Sequence, residues 1–366
     1  MNKNQICNNC IMDTSDPDIS FDEEGICNHC IDSLPKLKKL IYSNEEVEKN
    51  LNRLRAKILE KKRGKYDCII GLSGGVDSSY LCLLAKKMDL NALVVHLDNG
   101  WNSIESVKNI KKILKETRFD YQAYVIEWEE VKDLQRSFIF AGVPDIEVVS
   151  DHAYYASLFK IAKENRIKFI LSGYNFNTEH SMPRKWIWRK SDITNIKDIH
   201  KKYGIKKLAT YPFLGTIEIF FSIKFGFGPE LINLLDNVNY NKTKAINELT
   251  KIGWNEYGEK HYESIFTKFY QSYILPVKFR IDKRKTHLSC QIRNNEISRN
   301  EALEAMKAKP YNDNKIEFEK DYVLRKLDIS NADFEKIMKS SPKKHSDYKT
   351  DQYLISIYNL FKRFIK

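Results

Sequence analysis

Two groups of residues in this chain have types and spacings suited to chemistry. The first is Cys7-x-x-Cys10, separated by sixteen residues from Cys27-x-x-Cys30. A CxxC pair on a tight turn sets two thiolates about one zinc edge apart. Two pairs supply the four soft ligands of a tetrahedral site. Four thiolates leave no open coordination position, so the expected metal is a structural Zn2+, with an iron–sulfur cluster as the other reading. His29, between the second pair, reads as a bystander. The second group is Ser73-Gly74-Gly75-Val76-Asp77-Ser78-Ser79. It lies between an apolar run and a helical pattern, where backbone N–H groups and a helix start converge on an anion. The glycines permit close approach and positive φ. Ser73, Ser78 and Ser79 add hydroxyl donors. Asp77 cannot itself attract phosphate and is better placed to hold Mg2+ between phosphates. No Gly-Lys-Ser/Thr closes the loop, and Gly-x-Gly-x-x-Gly is absent, which excludes a Walker A loop and a dinucleotide fingerprint.

These groups need elements to hold them. Residues 1–32 form a short cysteine-paired lobe, and 33–64 a connector helix, with Asn44 a candidate cap near its middle. Leu34, Leu37, Leu40 and Ile41, then Val47, Leu51, Leu54 and Ile58, recur at helical spacing. From 65 to 183 strand and helix signals alternate. The pattern predicts strands over 66–72, 92–97, 121–126 and 169–171, and helices over 77–88, 103–117, 130–141 and 151–165. That order implies an α/β domain with a doubly wound parallel sheet, its ligands lying outside the carboxyl ends of the strands. Residues 184–366 read as mainly helical, with helices over 230–235, 242–252, 263–274, 296–307, 317–327 and 333–339. This is the expected substrate or partner region.

Composition sets wider bounds. Hydrophobic residues make up 42% and charged residues 30% of 366, which argues for a globular chain and against disorder. No apolar run approaches the ~18 residues of a membrane helix. The polar start, Met1 to Gln5, lacks a signal core, so a cytoplasmic location is expected and membrane insertion is not. The net charge of +12 suits nucleic acid or a multiply charged anion such as ATP, but a scattered solvated face explains much of it.

Ser-Gly-Gly-x-Asp-Ser resembles the signature of the PP-loop ATP pyrophosphatases, a group that includes GMP synthetase, asparagine synthetase and tRNA-thiolating enzymes. The resemblance implies an adenine nucleotide alpha-hydrolase-like fold, release of pyrophosphate and an adenylylated intermediate. It makes Ser73, Gly74, Gly75, Val76, Asp77, Ser78 and Ser79 ATP-binding residues. His96-Leu97-Asp98 and Gly173 look like that family's adenosine contacts. A narrower resemblance, to the N-acetyl sugar amidotransferases of bacterial surface-polysaccharide and O-antigen pathways, covers nearly the whole chain. It rests on Cys7–Thr14, Cys27–Cys30, Ser172–Glu179, Tyr257–Ser264 and the run Asp282-Lys283-Arg284-Lys285-Thr286-His287-Leu288-Ser289. It implies conversion of an acetamido group on a nucleotide-linked sugar into an acetamidino group. Asp77, Asp151, Glu179, Lys283 and Arg284 would then be catalytic. His152, Asn175, Asn177, Lys185, His261, Glu263 and His287 would bind substrate.

The reaction needs ammonia, and no glutaminase signature is evident. Position 2 is asparagine, Cys68 and Cys82 read as core residues, and Cys290 is isolated. A separate glutaminase subunit is expected. In the resembled family it comes with a cyclase-like subunit, as in imidazole glycerol phosphate synthase. The competing expectation is a tRNA-thiolating enzyme, which shares the loop and the cysteine pairs and would suit the positive charge. It lacks a spare catalytic cysteine here.

Overall fold

The computed structural model describes residues 5–226, 228–256, 262–354 and 356. Five parallel strands form one sheet: β1 (Cys68–Gly71), β2 (Ala92–Asp98), β3 (Asp120–Val125), β4 (Phe169–Ser172) and β5 (Glu230–Asn233). Their order is β3-β2-β1-β4-β5. The register sets Ile69 beside Leu93 and Ile170, and Ile70 beside Val94 and Leu171. Side chains alternate between faces along a strand. Ile69, Leu93, Val95 and Ile170 pack with Ala156, Leu158 and Ile161 on one face. Cys68, Ile70, Val94 and Leu171 pack with Leu81, Leu84 and Ile110 on the other. Covering both faces explains why β1 and β4 are buried at every position rather than at alternate ones.

The helices are α1 (Asn28–Lys38), α2 (Asn44–Glu60), α3 (Val76–Lys87), α4 (Ile104–Thr117), α5 (Trp128–Ala141), α6 (Val148–Glu164) and the short α7 (Phe176–Glu179). They continue with α8 (Ile193–Tyr203), α9 (Thr216–Lys224), α10 (Lys242–Lys251) and α11 (Ile265–Phe269). A π-helix, Tyr270–Phe279, follows, then α12 (Arg284–Arg293), α13 (Arg299–Ala305), α14 (Asp313–Lys326) and α15 (Asn331–Lys339). A large second core joins α5 and α8 to the C-terminal helices through Phe138, Trp186, Phe266, Tyr270 and Phe334. Among the described residues no helix is long and apolar enough to cross a membrane.

Three expectations change. The connector over 33–64 is two helices, not one. Ser43 closes a capping box with Glu46 and starts α2, so the cap is Ser43 rather than Asn44. Residues 230–233, read as helix, form β5. Four residues are short for a helix, and parallel pairing with β4 satisfies their backbone. The sheet therefore recruits β5, and α10 packs on α3, from beyond residue 183. The predicted helix over 263–274 is α11 running into the π-helix, where Pro276 lacks the N–H that a regular α-helix would use. The pattern also missed α8, α9 and α12.

Candidate active site

The strand order reverses between β1 and β4, and both strands end in the same crevice. From β1 the chain enters the loop Ser73–Ser79 and then α3. Gly74 takes φ +86 there, and a Cβ at Gly74 would stand 2.5 Å from the Ser106 carbonyl oxygen. The Trp254 indole Nε1–H donates to the Gly74 carbonyl (3.1 Å). The loop's hydroxyls bind the loop itself: the Gly75 N–H donates to Ser73 Oγ at 3.2 Å and the Ser73 N–H to Ser78 Oγ at 3.3 Å. These contacts hold the backbone as an open cradle. Gly74→Ala is expected to destabilise the protein by at least about 1–2 kcal/mol from left-handed φ alone, and to weaken nucleotide-induced thermal stabilisation. A melt showing wild-type behaviour with and without nucleotide would contradict this.

A cleft of about 250 Å³ opens over the loop. Ser73, Gly75, Val76, Asp77, Ser78, Gly173, Glu179 and Glu263, all expected from sequence, line it. Gly173 is needed for close approach, because a Cβ there would sit 3.3 Å from the Ser78 nitrogen. Tyr154, Tyr155, Tyr174, Thr178, Lys242, Trp254 and Glu256 also line the cleft. These were not legible as site residues, since aromatic residues on α6 and a lysine at the start of α10 read as ordinary helix positions. The Tyr240 hydroxyl donates to Asp77 Oδ1. Burial first, and then the Asp77 charge, hold this phenol protonated far above its ordinary range.

A neighbouring cavity of about 280 Å³ shares Lys242 with the first. Lys283, Arg284 and His287 line it, together with Gln271 and Ser272 of the π-helix. Ser272 is buried, and its hydroxyl has no hydrogen-bond partner among the described residues. Lys283 pairs with Glu147 at 3.0 Å, and Arg284 with Asp282 at 2.7 Å. Asp151, on α6, is not among the residues that line either cavity and pairs with Lys190 at 2.9 Å. Burial raises its carboxyl above the usual range, and Lys190 pulls it back.

The remaining expected residues lie elsewhere. His96 is buried on β2 with Nδ1 donating to the Leu72 carbonyl (2.8 Å), and burial lowers its pKa. Asp98 accepts from the Gly100 N–H and the Asn102 amide in a turn. Leu97 packs at the edge of the second core, and Ser79 is buried inside α3. His152 is a satisfied core histidine. Its Nδ1–H donates to the Lys190 carbonyl at 2.5 Å and its Nε2 accepts from the Leu214 N–H at 3.1 Å. The Asn175 side chain caps α7. The Asn177 amide donates to the Tyr240 carbonyl. Lys185 is exposed, 3.9 Å from Asp18. His261 lies outside the described residues.

The four N-terminal cysteines are fully buried, their sulfurs all within 4.8 Å of one another. Cys7 and Cys30 are 3.9 Å apart, Cys10 and Cys27 3.7 Å. Four sulfurs at about 2.3 Å from one ion in tetrahedral array stand roughly 3.8 Å apart, so the set fits a single metal ion. Backbone N–H groups of Cys27 and Met12 point at Cys7 Sγ and Cys10 Sγ, as they do around metal thiolates. His29 instead binds Asp16 at 2.7 Å. The other three cysteines are also buried.

Residues 263–364 match the family described as LPS biosynthesis protein WbpG-like, C-terminal domain. This stretch holds Lys283, Arg284 and His287. An uncharacterized protein from Methanocaldococcus jannaschii is 29% identical over 171 residues, covering 46% of this chain and 57% of its own length. A tRNA(Ile)-lysidine synthase from Chlamydia pneumoniae is 24% identical over 152 residues, covering 41% of this chain and 43% of its own. The chain thus spans about half the length of these curated relatives. Among solved structures, an NMN synthetase from Francisella tularensis superposes at a TM-score of 0.40 and 12% identity, over 79% of this chain and 98% of that one. Likeness at that level carries no functional assignment.

Proposed function

We propose that this chain, whose residues 263–364 match the WbpG-like C-terminal domain, is a PP-loop, ATP-dependent amidotransferase acting on a nucleotide-linked N-acetyl sugar in surface-glycan biosynthesis. One observation carries this reading. The phosphate-loop cleft and the cavity in the WbpG-like region adjoin through Lys242. An ATP in the first can present its α-phosphate to an acceptor in the second.

An amide oxygen is a poor leaving group. Its attack on the α-phosphorus forms an O-adenylyl imidate and breaks the bond to pyrophosphate. Ammonia then adds at the imidate carbon, and AMP leaves with the original oxygen as the acetamidino group forms. The loop amides and hydroxyls bind the departing pyrophosphate. Asp77, Glu179, Glu256 and Glu263 make the cleft acidic, so a triphosphate needs cations to enter it. Asp77 and Glu179 would hold Mg2+, which neutralises phosphate charge. Lys242 lines both cavities and stabilises charge on the α-phosphate of the transferring adenylyl group. Asp151 or Glu179 accepts a proton from ammonia. Lys283 and Arg284, with His287 beside them, bind the sugar diphosphate. Ammonia comes from a separate glutaminase subunit, with a cyclase-like subunit beside it. The sulfur spacing favours one ion over a cluster, and Zn2+ is the ion assigned to it in this reading. The burial of all seven cysteines disfavours sulfur transfer, which calls for an accessible thiol.

The test supplies ATP, Mg2+, ammonium and a panel of nucleotide-linked acetamido sugars. A product about one mass unit lighter, with oxygen exchanged for NH, supports the reading. Thiolated tRNA formed in place of any such product would reverse it.

A further inference from the structure

Arg293, at the end of α12, is 5% exposed, and its guanidinium touches two sites at once. Towards the cysteine lobe, Nε donates to Cys30 Sγ (3.1 Å) and Nη2 to Cys10 Sγ (3.3 Å). Towards the nucleotide cleft, Nη1 donates to His180 Nε2 (2.8 Å) and to Ser181 Oγ. His180 and Ser181 directly follow α7, whose Thr178 and Glu179 line the cleft. The His180 ring is fixed from its other side, where Nδ1 donates to the Phe176 carbonyl at 2.6 Å. The neighbouring Asn294 amide donates to the Asn177 carbonyl at 2.7 Å, so the end of α12 grips α7 at two points.

The charge balance makes this arrangement conditional. A buried guanidinium needs an anionic partner. Four thiolates around a divalent ion keep a net negative charge, and Arg293 answers it. The ion ties the four sulfurs to one another; without it Cys10 and Cys30, the two that Arg293 holds, are no longer fixed at one spacing, and the guanidinium loses the rigid pair that sets its plane. We propose that Arg293 is a positioning residue through which occupancy of the four-cysteine metal site sets the position of α7 in the nucleotide cleft. A compact ammonium could not take its place, because the planar fork is what reaches four partners together.

The assay of nucleotide use rests on the ATP reading of the cleft; metal retention and hydrogen exchange do not. Arg293→Gln should lose metal to a chelator on the order of 10–100-fold faster than wild type. Amide exchange over 176–181 should rise, and KM for ATP should rise with kcat little changed. Arg293→Lys should restore metal retention in part, because it keeps the charge, but should leave exchange at 176–181 high. Wild-type protein stripped of metal should show the same local rise in exchange, which guards against a variant that fails to fold. Unchanged exchange at 176–181 after both stripping and Arg293→Gln would overturn the proposal. If the wild type releases no pyrophosphate with any acceptor, the ATP reading fails, while the exchange result still decides the coupling.

Discussion

Asp77→Asn is expected to lower acceptor-dependent pyrophosphate release by about three orders of magnitude, roughly 4 kcal/mol of transition-state stabilisation. The substitution keeps the shape of the side chain and the contact from the Tyr240 hydroxyl. It removes the negative charge at the start of α3, the one acidic group within the loop itself. The cleft faces a polyanion, and its own lining is mostly acidic. Cations must bridge the two, and Asp77 is the carboxylate nearest the cradle. The fold should survive, because β1, β4 and their apolar faces do not depend on this charge. The measurement is steady-state pyrophosphate release beside a thermal melt. A variant with wild-type turnover would remove Asp77 from the site. Tyr240→Phe should have a much smaller effect, since it deletes a hydrogen bond to Asp77 and leaves the charge.

Cys27→Ser is expected to empty the N-terminal metal site and unfold the lobe around it. The lobe's buried apolar set is small: the four cysteines with Met12 and Ile19, flanked by Phe21 and Leu34. Such a core cannot offset the entropy of ordering the lobe. Metal binding of about 10–16 kcal/mol for structural zinc supplies the difference. The sheet has its own two-faced core and should remain folded. Metal analysis should fall from about one ion per chain to near zero. Limited proteolysis should then cut within 5–32 while leaving the sheet intact. Retention of a full equivalent of metal would contradict the four-thiolate assignment. The lobe's docking contacts should be lost together, namely Arg299 on the Cys7 and Cys10 carbonyls and Lys285 on Asp13.

Local chemistry was legible in the sequence wherever short spacing carries the geometry. Cys7-x-x-Cys10 and Cys27-x-x-Cys30 were legible because the CxxC spacing by itself brings two sulfurs within reach of one ion. The strand–loop–helix order around Ser73–Ser79 follows from two apolar strands and a glycine-permitted turn. The sheet's class was visible too, since buried parallel strands read as apolar runs. Residues that act through distant partners were not visible. His96 and His152 look like candidate ligands in one dimension, yet each is spent on backbone groups. Asn175 resembles a binding residue and is a helix cap. Conversely, Lys242 and Arg293 look like ordinary lysine and arginine in a basic chain. Only the packing of α10 on α3 puts Lys242 between two cavities, and only the docking of the lobe on α12 puts Arg293 against two sulfurs. The short strand β5 was misread because four residues carry no period of their own and take their conformation from β4.

The sequence by itself determined the cysteine set, the phosphate cradle and the alternation that builds the parallel sheet. Each is written in short local patterns, a CxxC pair, a glycine turn or an apolar run, where steric limits and side-chain spacing leave few alternatives. Only the tertiary structure decided which side chains share the cleft, that a second cavity borders it through Lys242, and that Arg293 joins the metal lobe to α7. Those contacts bring together residues from tens to hundreds of positions apart, and their positions follow from how the cores pack rather than from any local pattern.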